Sequence, residues 1–423
     1  MKENNQGTLH FNFGWLSASH GINIILPLFI YPYALRIIGV EHFGIVMFAQ
    51  ALVLYFVNVV DYGYSLSGIR DVSVNRSNSS KLNEIFSTVF FTKMILVLLS
   101  TIPYGLILIL FNKAVENQTL FITTYLMVIG QWLLPFWFFQ GLEKMKLVAL
   151  LNILSKLIFL ALIIMNVRLS TDYKLFNLWL GISQVFAGLA GTMIVIFKYK
   201  VKIRWYSFNT IIVQLKINFL LFISNFSAFV SSNSSLVILA IIAEPQVVGY
   251  FAIAERILVA LKAPAVLLYQ TVYPRLCTKA EDSMQSLISF SRQITIWVYL
   301  LFIPLGVVTC LFAKEIIYLF SGSVLEQPIG LLYIMSAIPL IVALNIPATQ
   351  ALIAYKLNRS YATITISGGV INLFLNIILV SIFMANGAAW AALLTEICVT
   401  TVIYITISRK LKEYAPMRVL NWS

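Results

Sequence analysis

The chain has 423 residues, 60% hydrophobic and only 11% charged, with a mean hydropathy of +0.90. Soluble domains carry about 25% charged residues, so the composition excludes a soluble globular protein and predicts an all-α polytopic membrane protein. The formal net charge of +13 would point to nucleic acid in a soluble protein; here it is read as loop lysines and arginines obeying the positive-inside rule, with no nucleic acid as partner. Cys277, Cys310 and Cys398 show no CxxC spacing, and His10, His20 and His42 form no HExxH, so no metal site, disulfide framework or cofactor is expected. The N-terminal MKENNQGTLHFNFG lacks a basic n-region and a small-residue cleavage site, and the first apolar run is read as a retained anchor.

In chain order, about twelve apolar runs are long enough to cross a bilayer, which takes about 20 residues. They fall near 13–38, 43–64, 86–111, 118–140, 145–166, 175–197, 213–243, 247–273, 288–312, 329–354, 361–384 and 386–407. Prolines interrupt several of them, at Pro27 and Pro32, Pro264 and Pro274, and Pro339 and Pro347. Bent helices of this kind recur where transporters line a cavity, although a packing kink is the commoner meaning of one proline. Alternating loops hold nineteen Lys and Arg residues in one set and five in the other. The rule for such asymmetry puts both termini in the cytoplasm and requires an even number of spans.

Within or beside the spans stand five bases, Lys93, Lys156, Lys216, Arg256 and Lys262, and three acids, Asp61, Glu255 and Glu396. An ionisable side chain at mid-membrane costs about 2.5–3.5 kcal/mol on insertion scales and usually faces a cavity or pathway. The run from Val247 to Pro274, VVGYFAIAERILVALKAPAVLLYQTVYP, concentrates them. Glu255 and Lys262 are seven residues apart and share a helix face, with Arg256 turned roughly 100° away. One acid cannot neutralise two bases, so beside a helix-locking ion pair stands a second reading, a site for an anion. Asp61 either caps the second span and holds Arg70 or carries a functional charge, and Glu396 is either a helix-pairing contact or a coupling acid. The many aromatic residues, Trp132, Phe136, Trp137 and Phe138 among them, are read chiefly as interfacial belts and packing rather than as sugar platforms.

A weak repeat links the halves. Ile37-Ile38 followed by Gly44-Ile-Val-Met-Phe-Ala49-Gln50 recurs as Ile241-Ile242 followed by Gly249-Tyr-Phe-Ala-Ile-Ala254-Glu255. Between the copies lies the basic stretch KYKVKIR, 198–204. The expected organisation is a six-helix bundle over 1–197, a basic cytoplasmic linker over 198–212, a second six-helix bundle over 213–407 and a cytoplasmic tail over 408–423. No loop in this segmentation is long enough for an extramembrane catalytic domain, and there is no GxxxxGK[ST] phosphate loop. A transporter, not an enzyme, is expected; a polytopic transferase or polymerase is the competing class.

Three passages resemble the bacterial O-antigen flippases, the polysaccharide transporters of the multidrug/oligosaccharidyl-lipid/polysaccharide exporter superfamily. They are PLFIYPYALRIIGVEHFGIVMFAQALVLYFVNVVDYGYSLSGIRDVSVNR (27–76), WFFQGLEKMK (137–146) and VGYFAIAERI…YPRL (248–276). The resemblance implies two six-helix bundles in a V-shaped arrangement in the bacterial inner membrane. It also implies alternating-access flipping of undecaprenyl-diphosphate-linked repeat units from the cytoplasmic to the periplasmic leaflet in lipopolysaccharide biosynthesis. The expected partners are that lipid-linked oligosaccharide, the bilayer and the polysaccharide polymerase and chain-length machinery.

A diphosphate carries roughly two negative charges, whose burial without a partner costs several kcal/mol each. Arg256 and Lys262, with Lys93, Lys156 and Arg36, are therefore the candidate cationic cavity, and Asp61, Glu255 and Glu396 the candidate coupling or charge-pairing acids. Within the same superfamily a cation-coupled drug exporter would require a cavity dominated by acids, the opposite of this balance, whereas a lipid II flippase would share the charge pattern.

Overall fold

A computed structural model of the chain describes residues 3–355 and 357–410, with side chains from residue 21 onward except Ser231, Gln270, Tyr273, Pro274, Glu281 and Asn358. The side chains of His10 and His20 and the tail beyond residue 410 lie outside the described residues. Every regular element described is a helix. In order they are α1 (Glu3–Asp61), α2 (Tyr64–Val74), α3 (Ser79–Leu110), four short helices α4 to α7 (Asn112–Glu116, Gln118–Thr124, Leu126–Leu133, Phe136–Gly141), α8 (Met145–Asn166) and α9 (Tyr173–Phe197). There follow α10 (Phe208–Ile242), α11 (Pro245–Asp282), α12 (Met284–Leu311), α13 (Ala313–Ser321), α14 (Glu326–Met335), α15 (Ile338–Ala354) and α16 (Asn358–Lys410). Among the described residues nine segments are long and apolar enough to cross a membrane.

Two of those segments are bent, and the local chemistry explains where. Helix α1 breaks at Gly39 (φ 81°, ψ 166°), a conformation open to glycine and strained for other residues, so runs 13–38 and 43–64 are its two arms. Helix α16 breaks at Met384 (φ 50°, ψ −125°), separating runs 361–384 and 386–407. Gly387 serves that bend, because a Cβ there would run into the carbonyl oxygen of Leu379. The run 118–140 divides into α5, α6 and α7, the last break falling at extended Leu134 before Pro135. A residue before proline is pushed out of the helical region. Helix starts are capped in the ordinary way, Asn78 accepting from Lys81 N and Ser283 from Ser286 N, while Pro245 opens α11 after extended Glu244.

The chain divides into two compact units, the first ending at Phe226 and the second beginning at Ser227, so the boundary falls inside α10. In the first unit, loops gather at opposite ends. At one end Arg76 donates to Gly141 O (2.7 Å) and pairs with Glu143 (2.8 Å), while Lys202 N donates to Asn83 Oδ1 (3.0 Å) and Arg204 N to Ser87 Oγ (3.1 Å). The basic loops around residues 76, 144 and 200 thus share one end. At the other, Tyr173 donates to Asn117 (2.7 Å) and Tyr33 to Val167 O (3.3 Å), which collects the loops poor in Lys and Arg.

The signature WFFQG is a packing hub. Trp137, Phe138 and Phe139 are buried in a cluster with Tyr64, Val72 and Phe86, and Gly68 lies so close to the Trp137 ring that a Cβ would approach it to 2.7 Å. Helices α6 and α9 approach through glycines: a Cβ on Gly188 would meet Leu133 Cβ at 2.7 Å, and one on Gly130 would meet Gln184 Cβ at 2.7 Å. Small residues allow such approach where no hydrophobic effect drives helices together in lipid. The outer face of α3 shows Leu98, Leu99, Ile102, Leu106 and Ile109, each more than half exposed, as a lipid-facing surface does.

In the second unit the core gathers Leu276 from α11, Val298 and Phe302 from α12, Ala348, Ala351 and Leu352 from α15, and Ile403 and Ile407 from α16.

The contact at Gly188 has a testable consequence. Overpacking a tight site typically costs about 1–3 kcal/mol. Gly188→Leu is expected to lower the thermal unfolding midpoint in detergent, whereas Gly105→Ala, with nothing within 4 Å of the added Cβ, leaves it unchanged or raises it.

Candidate functional site

Of the three ionisable residues in the charged stretch of α11, Lys262 opens onto a cavity, and Glu255 and Arg256 lie outside its lining. Val259, Lys262, Val266 and Tyr269 recur at helical spacing and line one wall of a space of about 610 Å³. Asn345, Ile346 and Thr349 of α15, Ser232 of α10 and Glu396 of α16 complete it. Glu396, 134 residues away in sequence, stands in the cavity of Lys262 and interacts with it electrostatically; Glu255 interacts with both Arg256 and Lys262. Lys262 and Glu396 share the space without closing into a direct ion pair among the described residues. Asn345 adds a buried Oδ1 with no hydrogen-bond partner among the described residues. The unit therefore gathers two acids and two bases around or beside one half-apolar chamber, and Glu396 is far from being a lone acid.

Behind this chamber the second unit holds a neutral network. Ser234 Oγ donates to Asn372 Oδ1 (2.7 Å), Asn372 Nδ2 to Thr395 Oγ1 (3.0 Å), and Asn376 Nδ2 to Asn372 Oδ1 (2.9 Å). Thr395 precedes Glu396, so the network fixes that turn of α16 where the acid projects.

Lys93 and Asp61 meet in the first unit. Their ammonium and carboxylate lie 3.1 Å apart, with 1% and 18% of the side chains exposed. Gln131 Nε2 also donates to Asp61 Oδ1 (3.3 Å) and Ser65 N to Asp61 Oδ2 (3.4 Å). Asp61 ends α1 at the sharp reversal of Tyr62 (φ 47°) and Gly63 (φ 78°), so the pair ties the α1–α2 corner to the middle of α3. Arg70, the other basic partner considered for Asp61, binds Asp71 at 2.9 Å instead. The carboxylate faces a small cavity of about 250 Å³ lined also by Asn58, Ser65, Phe222 and Asn225.

Lys156 belongs to a separate cavity of about 280 Å³ in the same unit. Asn152, Ser155, Lys156 and Phe159 line it from α8, and Leu180, Ser183, Gln184 and Ala187 from α9. Both sets have the spacing i, i+3, i+4, i+7 of one helix face. Tyr31 and Gln131 add α1 and α6. Behind Tyr31 runs a buried relay: Tyr31 OH donates to Gln50 Oε1 (3.2 Å), Gln50 Nε2 to Asn177 Oδ1 (2.7 Å), and Asn177 Nδ2 to Thr124 Oγ1 (2.9 Å). Arg36 sits on α1 three residues before the Gly39 bend, exposed and outside the lining of these cavities.

Of the eight singled-out ionisable residues, the structure therefore joins Glu255, Arg256, Lys262 and Glu396 in one unit, joins Asp61 to Lys93 in the other, and leaves Lys156 and Arg36 apart from both groups. The polar residues that share the Lys156 cavity escaped a search for charges. Their signal was available as period: within runs otherwise apolar, Asn152-Ser155-Lys156 and Ser183-Gln184 stack on single helix faces.

The sequence profile of the polysaccharide biosynthesis protein family matches residues 9–278, well over half of the chain. The chain belongs to that family. Among its relatives, an Escherichia coli (strain K12) protein provisionally named O-antigen transporter is 27% identical over 405 residues, covering 95% of this chain and 97% of the relative. Of solved structures, the lipid II flippase MurJ in an inward closed conformation superposes with a TM-score of 0.76 at 15% identity, covering 94% of this chain and 88% of that one. An inward-facing multidrug resistance MATE transporter of the MOP superfamily reaches 0.66 at 13% identity, covering 92% and 99%. At these identities the structures speak to fold: this family member has the fold of the multidrug/oligosaccharidyl-lipid/polysaccharide exporters and is a multi-pass membrane protein.

Breaking a buried ion pair on one side strands a charge and costs about 3–5 kcal/mol, against little for removing both partners. Lys93→Met is expected near the low end, about 3 kcal/mol, because Asp61 keeps 18% of its side chain exposed. The double variant Lys93→Met/Asp61→Asn should recover most of the loss in thermal unfolding of the purified protein.

Proposed function

We propose that this protein flips undecaprenyl-diphosphate-linked oligosaccharide repeat units of the O-antigen type from the cytoplasmic to the periplasmic leaflet of the bacterial inner membrane. It does so by alternating access of two six-helix bundles, twelve crossings in all, with both termini cytoplasmic. The observation that carries the reading is the cavity of about 610 Å³ where Lys262 stands, in a chain of the polysaccharide biosynthesis family. Its apolar wall beside the Lys262 ammonium suits a ligand that is a lipid at one end and a diphosphate at the other, with Glu396 the acid an anion would displace from Lys262. Arg256 and Lys262 are the proposed diphosphate residues, Arg offering bidentate contacts and Lys a point charge. Glu255 and Glu396 hold these bases in place and keep their field from binding the anion irreversibly. Lys93, engaged by Asp61, acts as an internal strut, and Lys156 serves a different part of the substrate.

The energetics do not require an obligatory proton or sodium exchange. With the cytoplasm negative, outward passage of a diphosphate is favoured by about 2.3 kcal/mol per charge per 100 mV, and consumption of the repeat unit outside, by the polymerase and chain-length machinery, draws flux forward. Lipid II flipping is the second reading, favoured by the fold shared with MurJ, since the same diphosphate chemistry serves either headgroup.

Deleting the gene is expected to leave diphosphate-linked oligosaccharide accumulating on the cytoplasmic leaflet while its synthesis continues. Accumulation outside the membrane would sink the flippase reading and favour a polymerase or ligase; arrested peptidoglycan synthesis with normal O-antigen would favour lipid II. Arg256→Ala and Lys262→Ala, each at normal protein level, should cut transport about tenfold or more, the equivalent of one lost charge-assisted contact. Full transport in both would remove the diphosphate site.

A further inference from the structure

The cavity of the first unit has a chemistry unlike that of the second. Among the described residues its lining holds one cation, Lys156, no acid, and a set of neutral donors and acceptors: Asn152, Ser155, Gln131, Ser183 and Gln184. Polar side chains in a membrane-spanning bundle are costly when unsatisfied; Ser155 Oγ donates to Ser183 Oγ (3.4 Å) and Gln131 to Asp61 (3.3 Å), which holds these groups in place along the cavity wall. Here three helices, α6, α8 and α9, bring them to one space of about 280 Å³. That volume lies just under the ~300 Å³ at which pockets for drug-sized ligands begin, room for one ring.

Aromatic side chains, Tyr31, Phe136 and Phe159, supply flat apolar wall to the same space. Tyr31 is immobilised from behind by Gln50 and Asn177, which are 2% and 0% exposed. A rigid apolar face opposed by side-chain amides, each a donor and an acceptor, is complementary to a ring whose edge is studded with hydroxyls and whose faces carry only C–H groups.

We propose that this cavity is a saccharide subsite holding one pyranose residue of the transported oligosaccharide, with an anionic group against Lys156. The anion is either a carboxylate on the sugar or the phosphate that joins it to the lipid. The proposal rests on the flippase reading and assigns the sugar to residues of the first unit that are distinct from the proposed diphosphate bases of the second.

The test uses the full chain in lipid nanodiscs and two probes: lipid-linked oligosaccharide extracted from cells lacking this gene, and bare undecaprenyl diphosphate. The wild type is expected to bind the sugar-bearing lipid more tightly than the bare one. Gln184→Leu on α9 and Asn152→Leu on α8 should each weaken the sugar-bearing lipid about tenfold, because a buried hydrogen-bonding site left unpaired discriminates strongly, and leave the bare lipid unchanged. A merely structural role would move both probes together and lower the unfolding midpoint, and either equal losses on both probes or no loss on either overturns the proposal. If one variant fails to fold, the other and the milder Ser183→Ala carry the same comparison. Lys156→Gln weakening both probes assigns the anion to the phosphate, weakening the sugar-bearing probe alone assigns it to the sugar, and weakening neither overturns the role of Lys156. Lys262→Ala should weaken both probes; if it does not, the diphosphate reading fails while the sugar comparison between the two probes still decides the subsite.

Discussion

Inside a bilayer no water stands ready to satisfy a charge or an amide, and that constraint decides where this chain puts every polar side chain. The Asp61–Lys93 pair is the clearest case. An ammonium with 1% of its surface exposed persists because a carboxylate lies against it and a glutamine donates to that same carboxylate. The pair then becomes a fixture of the fold: it pins the corner where α1 ends and α2 begins to the centre of α3. Much else in the first unit follows from that corner, since Tyr64, Val72 and the WFFQG aromatics pack just beyond it.

The same constraint is met differently at corresponding places in the two units. Helix α1 breaks at Gly39, five residues before Gly44, and α11 starts after extended Glu244, five residues before Gly249. The backbone break thus recurs at the same distance from the repeated Gly–Ala–Gln/Glu motif, an agreement in conformation that apolar sequence alone would not produce. Past the break, Gln50 sits in a neutral relay with Tyr31 and Asn177, while Glu255 answers Arg256 and Lys262. The polar position at the same distance from the break is thus an amide in one unit and a carboxyl group in the other.

Fold class was legible in the sequence because it depends on long apolar runs, and helical segments account for each run read there. Their interruptions were legible only where a glycine or proline enforced them: the Leu134–Pro135 break has a proline, but the bend at Met384 rests on a residue with no such signature and on the space left by Gly387. Compactness was less legible. The basic stretch over 198–204 marks a composition boundary, yet Val201 is buried in the first unit's core, and Phe222 stacks on Tyr62 at 4.5 Å, so that unit runs on to Phe226. At the sites, charges close in sequence could be placed by helix geometry, as with Glu255 and Lys262. Partners far apart could not: nothing in the order of residues says that Asp61 meets Lys93 or that Glu396 faces Lys262. Aromatic residues were the least readable, since Trp137 and Phe138 are core while Phe136, their neighbour, lines a cavity.

The chambers around Lys262 and Lys156 differ in the side chains that line them. The chamber of about 610 Å³ sets one base and one acid, Lys262 and Glu396, in a partly apolar wall. The chamber of about 280 Å³ is lined, among the described residues, by amides, hydroxyls and one lysine. Coulombic attraction is long-ranged and indifferent to shape, so it can capture any lipid diphosphate; hydrogen bonds fall off steeply with distance and angle, so they can tell one headgroup from another. On the proposed function, exchanging neutral side chains on α8 and α9 would alter which sugar is accepted, because those residues line a cavity that neither Lys262 nor Glu396 shares.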